Sequence, residues 1–294
     1  MLAHVPQSEM VLPCTPEQGA RLGISVHEIL STLRRGAIVL DLGSGPGSFA
    51  LGDNSIRAVR IDRELERLSG PLAVQANAAQ LPFAADVFDA IVSNHSLEHF
   101  DDLSGALQEV ARVLKSGGGL YIGVPDASTM SDRLYRWLAR GGGHVNPFTS
   151  ARDLAARIEK MGIPHVATRT LCTSFAYLNR HNPGSRGSRR IWLLGGGTEL
   201  SLLAITYIAS LADRFLKTRL RVYGWAFYFG NIEGPVDCRT WTNVCIRCGA
   251  GYSSDWLRFE RGLVRRYGIF PLYQCPQCGT NNLFTDDAHY TYPN

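Results

Sequence analysis

The chain predicts an α/β fold: a doubly wound, mostly parallel sheet with a small separate module at its C-terminal end. Three observations predict it. The apolar segment Ile38–Leu42 runs straight into a glycine turn, Gly43-Ser44-Gly45-Pro46-Gly47. Segments of strand length then alternate with stretches of helical period as far as Leu171, the pattern of a parallel sheet covered on both faces. Two Cys-x-x-Cys-Gly sequences, at Cys245 and Cys275, stand apart near the end of the chain.

In chain order, residues 1–18 read as irregular, and Ile24, Ile29, Leu30 and Leu33 fall at helical spacing ahead of the first strand. A second strand, Ile56–Ile61, ends at Asp62; a third covers about Leu72–Gln75; a fourth, Ala90–Ser93, follows the turn Val87-Phe88-Asp89. Asp101 or Asp102 can cap a helix carrying Leu103, Leu107, Val110 and Leu114, which Gly117–Gly119 ends before a fifth strand, Leu120–Val124. Ser150 with Asp153 forms a capping box for a helix over Ala151–Met161, stopped by Gly162, and a strand near Val166–Leu171 follows. The remaining strands of the sheet have no legible signal.

The glycine turn points to a cofactor. Gly43 permits the tight bend, and Gly45 and Gly47 let backbone N–H groups approach a ligand with no Cβ in the way. Asp62 stands 21 residues beyond Asp41, where an acid at the end of the next strand accepts hydrogen bonds from ribose hydroxyls. No triphosphate-binding lysine follows the turn, and its third glycine comes one residue too early for a typical dehydrogenase.

The segments LDLGSGPG, ANAAQLPF…FDAIV, RVLKSGGG and HVNPFTSARDL, in that order, resemble class I S-adenosylmethionine-dependent methyltransferases, nearest to the type found in ubiquinone and menaquinone biosynthesis. The resemblance covers about Val39–Pro164 and implies a Rossmann-like sheet. It places Asp41, Gly43, Ser44, Gly45 and Gly47 at the methionine part of S-adenosylmethionine and Asp62 at the ribose. Asn77, Ala78 and Leu81 would border the adenine, with an amide at 77 where many relatives have an acid. Asn94 and His95, just past the fourth strand, would line the methyl-transfer cleft, because ligands of open α/β sheets sit at the carboxyl ends of strands. Methyl transfer from a sulfonium is an in-line displacement, so alignment and water exclusion are the protein's main tasks. A base helps an oxygen or nitrogen acceptor, and His95 or His144 is the candidate. His95, Glu98 and His99 also spell H-x-x-E-H, which on a helix could recruit zinc, but the end of a methyltransferase strand is the wrong context. The resemblance implies another reading, since ubiquinone-pathway O-methyltransferases hold a divalent metal on E-x-x-E-H at this place; His95 replaces the first acid here, and a structural or substrate-lining role is expected.

The net charge of +4 is unevenly spread: residues 1–111 carry 7 Lys and Arg against 14 Asp and Glu, and residues 112–222 carry 17 against 6. Arg180, Arg186, Arg189 and Arg190 lie in RHNPGSRGSRR, a broken stretch that suits either an anionic partner or simple solubility. Leu200–Ala212 has no charge and is too short to cross a bilayer. It reads as a packed helix or lid, or as an in-plane membrane contact helped by Lys217, Arg219, Arg221 and the aromatic run Tyr223–Phe229.

Cys245, Cys248, Cys275 and Cys278 form two knuckles that together suit one tetrahedral metal, with no coordination position left open. They resemble a zinc ribbon, which implies structural zinc. Cys14, Cys172 and Cys238 fit no pair. The expected organisation is a cofactor-binding domain over 1–178, a basic loop with an amphipathic and aromatic insertion over 179–237, and the cysteine module over 238–294. With 45% hydrophobic residues, seven cysteines too clustered for a disulfide framework, and an opening MLAHVPQSEMVLP unlike a signal peptide, a cytoplasmic setting is expected, peripheral to a membrane if the helix touches lipid. The expected acceptor is a small molecule, a sugar or a lipid-linked intermediate, methylated on oxygen or nitrogen. The alternatives are an RNA or protein methyltransferase docking through the ribbon and basic middle, although the motif for base amino methylation is missing at Ser93–Ser96, and a non-catalytic scaffold.

Overall fold

The computed structural model describes residues 29–30, 33–49, 56–68, 70, 72–138, 143–181, 197–232, 236–290 and 292. Most of the helix expected before the first strand, together with Cys14, Arg186, Arg189 and Arg190, lies outside these residues.

Seven strands form the main sheet: β1 (Ile38–Leu42), β2 (Arg57–Asp62), β3 (Ala73–Gln75), β4 (Phe88–Asn94), β5 (Leu114–Pro125), β6 (His165–Cys172) and β7 (Val222–Gly230). Their order is β3-β2-β1-β4-β5-β7-β6. β1 through β5 pair in parallel, whereas β7 runs antiparallel between β5 and β6. Alternate residues feed two cores. Leu40, Ile91 and Ile122 meet Leu107 and Val110 of α1 (Leu103–Val113) and Leu154 and Ile158 of α3 (Ala151–Glu159); Val39, Val92, Tyr121 and Tyr228 face the other way. Asp102 and Ser150 cap α1 and α3 through their side chains. A further helix, α2 (Met130–Leu138), follows β5.

Two expectations about boundaries need correction. The helix before β5 stops at Val113, and Leu114–Gly119 already pairs as strand, because it continues the ladder with Phe88 and Ala90 across a register shift. The division at residue 178 also fails. Strand β7 comes from residues expected to be an insertion, yet it is a central strand, with Trp225–Phe229 at most 3% exposed. A continuous apolar run belongs to a strand buried on both faces, so this aromatic stretch cannot touch a membrane.

The helix α4 (Glu199–Leu216) is inverted relative to an ordinary surface helix. Its polar stripe faces inward: Thr206 donates to the Ser174 carbonyl at 3.1 Å, and Ser210 accepts from Arg221 at 2.9 Å. Asp213 accepts from the N–H groups of Leu220 and Arg221 and from the hydroxyls of Thr218 and Tyr292. Arg221 is 1% exposed and also donates to the carbonyls of Thr173 and Thr242, and Arg219 pairs with Asp126, so neither is the free surface cation expected. The outward stripe is apolar, with Leu200, Ile208 and Phe215 between 64% and 78% exposed. No helix among the described residues is long and apolar enough to cross a membrane.

The C-terminal module consists of the pair β8 (Asn243–Val244) and β9 (Gly251–Tyr252) and the sheet β10 (Val264–Tyr267), β11 (Phe270–Gln274) and β12 (Asn281–Leu283). It sits on the main domain. Ile246 packs with Phe175, Leu178 and Leu202, while Ser174 and Asn179 donate to the carbonyls of Cys245 and Ile246 at 2.8 and 3.0 Å.

Candidate active site

Strand β1 delivers its chain to the turn in three left-handed residues, with Gly43 at φ +66°, Gly45 at +49° and Gly47 at +121°. The glycines serve different ends. A Cβ on Gly43 would strike Ser96 at 2.5 Å, so Gly43 lets the turn close on the end of β4. A Cβ on Gly47 would strike the Arg60 guanidinium at 2.4 Å, so a glycine here leaves room for that side chain. Beside Gly45 there is open space, the room a ligand needs. Asp62 holds this turn: its Oδ2 accepts from Gly45 N at 2.8 Å and its Oδ1 from Glu64 N at 3.0 Å, each oxygen keeping a second lone pair.

Asp41 is fully buried beneath the turn. Its Oδ2 accepts from Ser48 N at 2.8 Å and lies 3.6 Å from Arg60, while Oδ1 has no hydrogen-bond partner among the described residues. Burial, only partly offset by Ser48 and Arg60, pushes its carboxyl from 3.8 up to about 6.

The adenine expectations fare unevenly. Asn77 is exposed and Ala78 half-buried, but the Asn77 carbonyl oxygen Oδ1 already accepts from Ala79 N at 3.1 Å, closing an Asx turn. Leu81 departs from its expected place. Its side chain is 6% exposed in the core, held there because the N–H of Leu81 donates to Glu109.

At the carboxyl end of β4 lies a cavity of about 390 Å³. Asn94, His95 and His144 line it, together with Glu98, His99, Tyr135, Tyr177 and Tyr223. His95 sits at φ +53°, a conformation uncommon and costly for a side-chain-bearing residue. There its Nδ1 reaches the Tyr223 hydroxyl at 3.2 Å, and Glu98 Oε1 lies 3.7 Å away. Burial holds the Tyr223 phenol well above its usual range, so it faces His95 as a neutral hydroxyl. H-x-x-E-H occupies a single 3₁₀ turn, Leu97–His99, and not the α-helix its zinc reading required. The cavity's far wall comes from the C-terminal module, through Trp241, Val244, Cys248, Gly249 and Gly251. Tyr223 and Trp241 escaped sequence reading because topology alone brings β7 and the module to this end of the sheet.

In the module the two knuckles are copies of one another. Gly249 N donates to Cys245 O at 3.0 Å and Gly279 N to Cys275 O at 2.9 Å, with both glycines left-handed at φ +76° and +72°. The four sulfurs lie within 4.8 Å of one another, with Cys245–Cys278 at 3.5 Å and Cys248–Cys275 at 3.7 Å. Sulfurs on a tetrahedron with metal–sulfur bonds of about 2.3 Å are spaced by close to that distance. Cys172 is a buried thiol pushed up to about 11 by its surroundings, and so inert.

Residues 18–166 match the family described as methyltransferase domain. The chain belongs to this family. Among its relatives, the ubiquinone/menaquinone biosynthesis C-methyltransferase UbiE of Haemophilus ducreyi is 34% identical over 126 residues, and the malonyl-[acyl-carrier protein] O-methyltransferase of Enterobacter lignolyticus 30% identical over 153. These matches take in 34% and 49% of this chain and 49% and 61% of the relatives' own lengths. A solved S-adenosylmethionine-dependent methyltransferase from Archaeoglobus fulgidus aligns with a TM-score of 0.47 at 16% identity, covering 68% of this chain and 89% of that one. Residues 18–166 are accordingly a methyltransferase domain, and the sheet is mostly parallel, as the sequence predicts, with β7 as the strand it did not show.

Proposed function

We propose that this protein transfers a methyl group from S-adenosylmethionine to a small-molecule, sugar or lipid-linked acceptor held in the cavity at the carboxyl ends of β4 and β6 and the amino end of β7. The carrying observation is the meeting of two features at one end of the sheet. The Gly43 turn closes directly on Ser96, and His95, one residue before Ser96, opens into the cavity. The residues fit the cofactor: Gly45 borders free space, and the unpartnered Asp41 Oδ1 complements the cofactor's ammonium group. Asp62 has lone pairs to spare for ribose hydroxyls. When bound, the cofactor supplies an already activated methyl group. Asn94 and the aromatic wall then orient the acceptor and exclude water, and His95, steered by Tyr223, accepts a proton from an oxygen or nitrogen acceptor. The UbiE relative, a C-methyltransferase of ubiquinone and menaquinone biosynthesis, supports a small-molecule acceptor.

The four cysteines fit a structural zinc ion, Cys245, Cys248, Cys275 and Cys278 supplying a closed thiolate set that stiffens the cavity wall. The outward apolar stripe of α4 favours a peripheral membrane contact through which a lipid-linked acceptor would arrive. Tyr207 of α4 touches Phe270, so the stripe is continuous with the β10–β11 tip, where Ile269 is 86% exposed.

Calorimetry with S-adenosylhomocysteine tests the cofactor site: Asp62→Ala is expected to weaken binding at least tenfold, and unchanged affinity would overturn the assignment. Labelled donor offered with fractionated metabolites, lipids and RNA identifies the acceptor class.

A further inference from the structure

Methyl transfer leaves unexplained a buried acid on the cavity wall. Glu98 is 2% exposed, and its Oε2 has no hydrogen-bond partner among the described residues. A buried carboxylate in that state is costly without a compensating charge. No lysine or arginine pairs with it among the described residues; His95 Nδ1 lies 3.7 Å from its other oxygen, Oε1. Two tyrosines feel the charge. Burial first, and then the negative charges of Glu98 and Asp132, push the Tyr135 phenol up, and Glu98 adds to the burial that raises Tyr223. Both rings border the cavity as neutral aromatics.

The imidazoles beside Glu98 are prepared to accept hydrogen bonds. His99 Nδ1 lies 3.0 Å from the Gly143 carbonyl oxygen, and His144 Nδ1 lies 3.4 Å from Asp132 Oδ1. A carbonyl and a carboxylate only accept, so the neutral ring carries its proton on Nδ1 and keeps the Nε2 lone pair. One oxygen of Glu98 and one ring nitrogen each of His99 and His144 lie within 4.8 Å of one another. The Tyr135 ring stands 5.7 Å from that of His144. A negative charge, lone pairs and an aromatic face are thus gathered on one stretch of wall. A phosphate or carboxylate brought here would meet Glu98 with like charge. An alkylammonium suits all three features, because it offers a positive charge, several N–H donors and an attraction to aromatic faces.

We propose that the methyl acceptor carries an ammonium group, which Glu98 receives in the cavity between the Tyr135 ring and the imidazoles of His99 and His144. This rests on the reading of the cavity as the acceptor site, and it narrows the acceptor to an amine-bearing molecule. An ammonium has no lone pair, so in this form the group anchors the acceptor and does not attack the methyl carbon.

The full chain, with its cysteine site loaded with zinc, is titrated calorimetrically with phenethylamine, phenethyl alcohol and phenylacetate, probes of similar size that differ in charge. The amine is expected to bind at least about tenfold more tightly than the alcohol, and phenylacetate most weakly. Glu98→Gln keeps the shape of the side chain and removes its charge, and should abolish the preference for the amine. Tyr135→Leu should reduce that preference several-fold, and it carries the test if Glu98→Gln fails to fold. Equal affinity for amine and alcohol overturns the proposal, as does tighter binding of phenylacetate, binding of none of the three, or a preference that the variants leave unchanged. The cofactor titration is separate, so a chain that binds S-adenosylhomocysteine but shows no amine preference keeps the methyltransferase reading and loses this one.

Discussion

Asp41 illustrates how one buried carboxylate can link folding, cofactor and pH. Its folded-state pKa of about 6 lies above the ordinary 3.8, so on acidification the folded chain takes up this proton before the unfolded chain does. The ionised form therefore costs stability above about pH 6, and the cost fades as the pH falls towards 4. Cofactor binding has the opposite sign. An ammonium group against Asp41 requires the ionised carboxylate, so S-adenosylhomocysteine affinity is expected to drop about tenfold per pH unit below 6, measured by calorimetry between pH 5 and 8. Asp41→Asn should flatten that profile. For His95, replacement by Ala is expected to lower turnover about 10²–10⁴-fold with cofactor affinity retained, the range for a lost general base. Unchanged turnover would leave His95 a lining residue.

Among the elements, α4 carries the sharpest contrast. Its inward stripe satisfies four donors at Asp213 alone, so Asp213→Ala should cost about 3–5 kcal/mol in urea denaturation, because buried partners are left unpaired. The outward positions predict the reverse pattern. Ile208→Asp and Phe215→Asp should shift stability by no more than about 0.5 kcal/mol. They should nevertheless reduce co-sedimentation with vesicles rich in phosphatidylglycerol, and equal sedimentation of wild type and variants would remove the membrane contact. The uncharged run Leu200–Ala212 announced a helix but not which of its sides is buried. Stripe polarity ordinarily marks the wet face, and here a buried arginine, Arg221, reverses it. The same gap hid β7. Its apolar run, Tyr223–Phe229, suits a lipid surface and a twice-buried strand equally well until its neighbours are known.

For the whole molecule, the consequence is that the cysteine module and the methyltransferase domain share a wall. Chelating the zinc proposed for the module is expected to raise hydrogen exchange at residues 173–179, where Ser174 and Asn179 grip the first knuckle, while β1 and β4 stay protected. Exchange confined to the module would show that the two parts are energetically separate.

By itself the sequence determined the strand–turn–strand frame, with the glycines and Asp62, and the two cysteine knuckles with their left-handed glycines. These are local features, set by backbone conformations and short spacings that neighbouring residues enforce. Only the tertiary structure decided the place of β7, the inward face of α4, the burial of Leu81 and the gathering of Glu98, His99 and His144 around one cavity. Those depend on segments far apart in the chain sharing one low-dielectric interior, where a buried charge must find its partner wherever the fold provides one.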